Sequence, residues 1–412
     1  MPDHRGVSNP TPLPLISVAE HRATLAALVA PTRVERLPLA DCLGLALAED
    51  LTAPIALPPF DNSAMDGYAV RASELSGASA DNPVELPVAE DVPAGRVDSP
   101  PLRPGTVHRI MTGAQVPRGA DAVVPVELTD GGTERVRLSR APAAGANVRR
   151  IGDDVVAGTV VLSRGATLGA PQLGVAAAVG AGDLPVHRAP RVLVLSTGSE
   201  LVEPGTPLQA GQIYESNGSM LAAAVRQAGG EARLLRFVPD DVAAFHAALE
   251  PHLDSTDLIV TSGGVSAGAY EVVKDAFAGR GVEFRKVAMQ PGMPQGAGRY
   301  REVAVATLPG NPVSSMVSFE VFVRPALRAA AGHRTTERIR VRASAAEAWD
   351  SPSGKRQFRR GRFDQASQSV TLEGGPGSHL LAAMAHADCL VEIPEDTTHV
   401  EQGTAVTVLL LD

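Results

Sequence analysis

At 412 residues the chain is too long for one hydrophobic core, and ~100–200 residues per domain predicts two to four domains. Its 44% hydrophobic and 20% charged content is that of a soluble globular protein, and with 3% aromatics the cores must be built from Ala, Val and Leu. A net charge of −9 argues against a protein bound chiefly to nucleic acid, and no apolar run reaches the ~18 residues of a membrane span.

The N-terminal stretch lacks the basic-then-apolar form of a signal peptide. Cys42 and Cys389, far apart, make neither a disulfide framework nor a zinc site. A cytoplasmic protein is expected, with no membrane or nucleic-acid partner.

Ser17-Val18-Ala19-Glu20 is a capping-box pattern, which predicts a helix to about Ala30, stopped by Pro31. From 53 to 144 short apolar runs are split by Pro and Gly, as in "ELPVAEDVPAG" and "ADAVVPVELTD", which predicts an inserted β-rich domain. Residues 145–188 read as strands followed by an alanine-rich helix after Pro171. They are expected to join 1–52 in one mixed α/β linking domain that carries the N-terminal helix.

Between 189 and 332 the strands "RVLVLS", "ARLLRFV", "DLIVTS", "VEFRKVAM" and "EVAVATL" alternate with helical stretches such as "MLAAAVRQAG", "DVAAFHAALEPHL" and "EVVKDAFAG". Such alternation predicts a doubly wound, mostly parallel sheet. Residues 333–412 return to β texture as a C-terminal β domain. The fold class is therefore multidomain, α/β plus β.

In a doubly wound sheet, ligands bind beyond the carboxyl ends of the strands. Those ends carry Thr197-Gly198-Ser199-Glu200, Pro239-Asp240-Asp241, Gly263-Gly264-Val265-Ser266-Ala267-Gly268, Gln290-Pro291-Gly292-Met293-Pro294 and Pro309-Gly310-Asn311-Pro312. Glycines admit a ligand close to the backbone, and free N–H groups opening a helix form an anion site, so a phosphate-bearing ligand is expected. The loop at 263–268 is neither GxxxxGK[ST] nor GxGxxG; without a ligand it would be a glycine-rich turn.

One of Asp240 and Asp241 is expected to cap the helix beginning at Val242, whereas Glu200 has no such role. Carboxylates beside a phosphate site point to Mg²⁺. Elsewhere, "PPFDNSAMDGYAVRA" (58–72) suits Asx turns at Asp61 and Asp66, and Thr112-Gly113 falls at a turn. Arg149, Arg150, Asp153 and Asp154 stand together, the arginines free to pair with the aspartates or to meet a phosphate. The run "GKRQFRRGRF" (354–363) reads as a nucleic-acid contact or a solvated strand face.

As a set, "FDNSAMDGYAVR", "RIMTGAQVPRGADAVVPVE", "VRRIGDDV", "VLSTGSEL", "GQIYESN", "TSGGVSAG", "LPGNPVS" and "GSH" resemble, in family order over about 17–412, the molybdopterin molybdenumtransferases, that is, the MoeA and gephyrin E-domain family. The resemblance implies a four-domain, elongated homodimer in which 189–332 is the molybdopterin-binding fold and the partner protomer completes the cleft. It implies insertion of molybdate into adenylylated molybdopterin, with release of AMP, in a Mg²⁺-dependent reaction. The catalytic residues it implies are Asp61, Asp154 and Glu200, and Glu271 and Lys274 beside the 263–268 loop are expected to join them. Its substrate-binding residues are Thr112, Gly263, Gly264, Ser266, Gly268, Pro309, Gly310, Asn311, Arg360 and Ser378, the last two from the second protomer. Its metal ligands are Glu200, Asp240 or Asp241, and Glu271.

Three positions depart from the family pattern. Glu271 replaces an aspartate, and "QPGMP" replaces KPGKP, so Gln290 and Met293 stand where lysines are usual. Each lost charged contact is worth ~1.5–3 kcal/mol, with Lys274, Lys286 and Arg299 as the cations that would compensate. The alternative is a divergent non-catalytic paralogue that binds or carries the pterin or serves as a scaffold.

Overall fold

The computed structural model describes residues 15–98, 100–238, 241–263 and 272–411. Asp240, Gly264, Ser266, Gly268 and Glu271 lie outside the described residues.

The centre of the chain is a seven-stranded sheet in the order Leu15–Ile16, Val282–Val287, Pro294–Tyr300, Val303–Leu308, Leu258–Ser262, Arg191–Thr197, Glu231–Val238. Leu258–Ser262 runs parallel to both Arg191–Thr197 and Val303–Leu308, and Glu231–Val238 extends the parallel set. The strands are apolar on both sides because both faces are covered. Val192, Val194, Leu258 and Val260 meet helices Asn217–Gln227 and Pro312–Ser318, whereas Leu193, Leu195 and Ile259 meet Val242–Leu249 and Val272–Phe277.

The sequence pattern does not predict the strand Pro294–Tyr300. It runs antiparallel to both neighbours, so that side of the sheet is mixed. Its glycines disguise it, yet they are required there: a Cβ on Gly298 would stand 2.0 Å from the Gly281 carbonyl oxygen.

The capping box forms as the sequence predicts. Ser17 Oγ accepts from Glu20 N–H at 3.1 Å, and Glu20 accepts from Ser17 N–H at 2.7 Å. The helix it opens, Val18–Leu28, does not join the linking domain, however. Val18 and Leu25 are buried in the central domain's core, and Leu15–Ile16 pairs in parallel with Val282–Val287. Its apolar face finds a larger surface on the sheet domain than the thin linking sheets offer.

Outside the centre, Val34–Pro38, Asp183–His187 and Ala46–Leu47 form a three-stranded sheet, and Leu51–Thr52 pairs with Val160–Leu162. A five-stranded sheet follows the order Arg135–Leu138, Val84–Val92, Val107–Ile110, Gly67–Val70, Ala122–Pro125. The C-terminal strands Arg356–Asp364, Ser369–Leu372, Arg340–Ala345, Ala405–Leu410 and Cys389–Ile393 close into a barrel, because the first also pairs with the last. Met289–Gln290 adds to Arg356–Asp364, which brings the barrel against the carboxyl edge of the central sheet.

Candidate active cleft

At that edge lies a cleft of about 1410 Å³. Thr197–Glu200, Gly263, Gln290–Gly292 and Pro309–Pro312 line it, as the strand-end argument predicts, together with Glu215–Asn217, Asp275, Ser378 and His379. Four of the five strand-end loops thus contribute to one wall.

The wall is cross-braced by side chains. Asn217 Nδ2 donates to Ser262 Oγ at 2.7 Å and to the Gly310 carbonyl at 2.6 Å, which ties the ends of two adjacent strands to the start of a helix. Ser262 Oγ and Ser315 Oγ stand 3.3 Å apart, and Ser315 Oγ donates to the Pro309 carbonyl. Gly263 has φ +95°, a conformation that favours glycine, and its N–H donates to the Leu308 carbonyl at 3.1 Å.

Glu215 is buried. One carboxylate oxygen accepts from Ser196 Oγ at 2.9 Å and from Gly218 N–H at 2.5 Å, in the first turn of the helix Asn217–Gln227. There the carboxylate complements the positive end of the helix. Glu200 sits at the mouth, its carboxylate folded back over the backbone of Gly198. Asp275 is exposed on the same cleft. Glu200 and Asp275 are hard oxygen donors suited to Mg²⁺ beside a phosphate, which takes one or two carboxylates plus substrate oxygens.

Ser378 reaches the cleft within its own chain, not from a second protomer. Its Oγ accepts from Asn311 Nδ2 at 2.7 Å, and its carbonyl accepts from Val313 N–H at 3.1 Å. Arg360 is likewise corrected. It is buried, and burial pulls its pKa below the usual guanidinium value. Its guanidinium donates to the carbonyls of Glu373, Gly375 and Gly377, so it grips the turn that carries Ser378 and is not itself part of the wall. The closed barrel explains both corrections, since it brings the turn at 373–379 back over the loop at Pro309–Asn311.

The other predicted residues fall elsewhere. Asp241 caps its helix, accepting from Ala244 N–H at 2.8 Å, and does not line the cleft. Lys274 is half-buried beside Asp275 and is absent from the wall. Asp61 accepts from Ile151 N–H at 2.8 Å and Arg150 at 2.6 Å, contacts that hold its pKa below the usual carboxylate value. Thr112 donates both N–H and Oγ–H to Asp66, and Asp154 is exposed. None of Asp61, Thr112 and Asp154 lines the cleft of its own chain.

Gln290 lines the cleft, its side-chain Oε1 accepting from Gln357 Nε2 at 3.3 Å; Met293 does not line it. In the basic run Arg356 pairs with Glu392 and Glu395, and Arg360 is the clamp, so two of its five cations are used internally. Among the described residues, no three His, Cys, Asp or Glu side chains are grouped to hold a metal by themselves.

Nothing in the sequence alone marks Glu215, Asn217, Asp275 and His379 as lining the cleft. Glu215 and Asn217 sit in "GQIYESN" and His379 in "GSH", but spacing does not reveal which side chains turn inward.

Residues 16–180 match the MoeA N-terminal region (domain I and II), 193–329 a "Probable molybdopterin binding domain", and 342–411 the MoeA C-terminal region (domain IV). The chain is 54% identical to Molybdopterin molybdenumtransferase 2 of Mycobacterium tuberculosis H37Rv, over 95% of this chain and 98% of that one. It is 36% identical to the Molybdopterin molybdenumtransferase of Haemophilus influenzae, over 92% and 94%. The crystal structure of the molybdopterin biosynthesis moeA protein from Pyrococcus horikoshii OT3 superposes with a TM-score of 0.82 at 30% identity, over 96% of this chain and 100% of that one.

Proposed function

Because the chain belongs to the MoeA family of molybdopterin molybdenumtransferases, we infer that it transfers molybdenum to molybdopterin at the cleft on the carboxyl edge of its central sheet. The observation that carries this reading is the convergence of Thr197–Glu200, Gly263 and Pro309–Asn311 on one cleft, within the segment that matches the molybdopterin-binding domain.

The substrate is adenylylated molybdopterin, with AMP as the second product. A volume of about 1410 Å³ supports it, since ordinary small-molecule pockets span roughly 300–1,000 Å³ and a pterin joined to a nucleotide needs more. Opening a phosphoanhydride demands alignment and charge neutralisation more than covalent catalysis. The wall supplies alignment through Asn217, Ser262 and the Asn311–Ser378 pair. Mg²⁺ held at Glu200 and Asp275 would neutralise phosphate charge.

The active form is a homodimer with a shared cleft. Support comes from Asp61, Thr112 and Asp154, which stand away from the cleft of their own chain. It comes also from the exposed apolar side chains Ile55, Phe60, Met65, Ile151 and Val156 on the paired segments around Asp61. A cytoplasmic location agrees with Cys42 and Cys389 both being free and buried. Among the described residues, no helix is long and apolar enough to cross a membrane.

The test is transfer to an acceptor. Purified protein, given adenylylated molybdopterin, Mg²⁺ and molybdate, should produce cofactor that activates a molybdenum-free apoenzyme. Mixing Asp61→Ala with Ser378→Ala chains should recover activity that neither has alone. Cofactor formation without such recovery would leave the transferase and remove the shared cleft.

A further inference from the structure

We propose that Arg324, Arg328 and Arg338 form a second binding site, for a divalent oxyanion: free phosphate or the phosphate of a phosphomonoester. It lies where the central domain, the linking domain and the connection to the barrel meet. None of the three arginines lines the cleft, so the inference stands apart from what binds there.

In a chain of net charge −9, residues 320–340 hold five arginines and two glutamates. Glu337 is engaged by Arg22 at 2.8 Å and by Arg340 at 3.3 Å. Glu320 is buried and accepts from Arg338 Nε at 2.9 Å and Nη2 at 3.1 Å, a bidentate pair that uses both carboxylate oxygens. Arg324 Nε stands 3.8 Å from Glu320 Oε2, beyond hydrogen-bond reach. Arg328 donates to neutral oxygens, the Thr335 carbonyl at 2.8 Å and Thr167 Oγ1 at 3.5 Å. His333, whose Nδ1 lies 2.8 Å from the same Thr167 oxygen, is a base and brings no counter-charge. Three guanidinium groups thus share one carboxylate.

The imbalance lies mostly out of water. The side chains of Arg324 and Arg338 are 11% and 13% exposed, and Arg324 Nε and Nη1 are buried with no acceptor. Charged donors left in that state are costly unless an anion balances them. Burial first, and then the guanidinium of Arg338, pull the Arg324 pKa down to about 10. The dipole of the helix Arg324–Ala330 accounts for Arg328 in its last turn, but not for Arg338, which comes from the connection.

Each guanidinium keeps an outer nitrogen for a ligand. Arg324 Nη2, Arg328 Nη1 and Arg338 Nη1 have no hydrogen-bond partner among the described residues. Guanidinium forks match the spread oxygens of a phosphate, and an excess of two positive charges favours a dianion over chloride. An ion held there would join the helix end to the connection and, through Arg328, to Thr167 of the linking domain.

The test is thermal unfolding of the full chain in sodium phosphate and in sodium chloride at matched pH and ionic strength, with calorimetric titration of phosphate. Phosphate should raise the midpoint above that in chloride. An equal rise with glycerol 3-phosphate identifies a site open to phosphomonoesters, and a rise with phosphate alone identifies one that holds the free ion. Arg324→Met should abolish the phosphate-specific rise and weaken phosphate about tenfold, the value of one charge-assisted contact. In chloride the same variant should melt at or above wild type, because it removes a buried charge that has no partner. Arg328→Gln should weaken phosphate to a similar degree. Equal wild-type midpoints in the two salts overturn the proposal. So does a phosphate rise that survives Arg324→Met, since the ion would then sit elsewhere.

Discussion

Asn311 donates from Nδ2 to Ser378 Oγ at 2.7 Å, and together with the bond from Val313 N–H to the Ser378 carbonyl this contact joins the segment leaving the central strand Val303–Leu308 to a turn of the C-terminal barrel. The cleft therefore has walls from two domains of a single chain, and its shape depends on how firmly the barrel turn is held.

That dependence predicts the behaviour of Arg360. Lysine presents a point charge and cannot reach three carbonyls from one planar fork. Arg360→Lys should cost about 2 kcal/mol of stability, because carbonyls of Glu373, Gly375 and Gly377 lose a charged donor. It should also raise KM for the pterin adenylate more than it lowers kcat. Urea unfolding with steady-state kinetics checks both; an unchanged KM would show that the turn keeps its place without the clamp.

Asn217→Ala removes both bonds that tie Ser262 and Gly310 to the helix start. Two neutral hydrogen bonds predict a loss of roughly 1–3 kcal/mol in stability and a larger proportional fall in kcat/KM, since the loops that line the cleft become free to separate. Asn217→Asp should not rescue it, because a carboxylate accepts and does not donate.

Gly218→Ala tests the packing under the helix start. A Cβ there would stand 2.5 Å from Ser196 Oγ and 2.6 Å from Leu234 Cδ1. Better helix propensity is worth at most ~1 kcal/mol, whereas overpacking costs ~1–3 kcal/mol, so the variant should be less stable. A thermal midpoint above wild type would mean that Ser196 and Glu215 yield at little cost.

The buried imidazoles set a pH dependence. Burial pulls His21 and His333 down to about 4 from the ordinary 6.5. Between those values the unfolded chain binds protons on these rings that the folded chain excludes. Stability therefore rises with pH across that window and falls as pH drops from 6.5 toward 4. The loss at pH 5 should be about 2 kcal/mol per ring. His333→Gln should lose less between pH 7 and pH 5 than wild type; parallel curves would contradict the assignment.

Gln290→Lys adds a cation to a wall that has none from lysine or arginine among the described residues. Oxyanion affinity should increase several-fold, with a small stability loss, because Gln357 is buried and loses its partner. Calorimetry with AMP and with molybdate, beside thermal melts, checks both.

Much of this architecture was legible in the sequence. The capping pair Ser17 and Glu20 and runs such as "RVLVLS" carry local signals that tertiary context did not override. Pro294–Tyr300 was hidden because the tight strand pairing at Gly298 calls for a residue that usually argues against a strand. Arg360 sits in a run that reads as surface charge, and only the closed barrel shows its head turned onto backbone carbonyls. The motif around Ser378 conveys the residue's chemistry and not the chain across which it reaches, so its place within its own chain's cleft is visible only in the fold. Glu215 is a carboxylate in a polar stretch, and its burial follows from Ser196 and Gly218 folding onto it.

The most direct test of the central claim is single-turnover AMP release from the purified protein loaded with adenylylated molybdopterin and Mg²⁺, with and without molybdate. Insertion at this cleft predicts AMP release that requires molybdate and tracks the appearance of molybdenum-loaded pterin. Tightly bound pterin adenylate that yields no AMP when molybdate is added would contradict it, and would leave a carrier with an intact cradle.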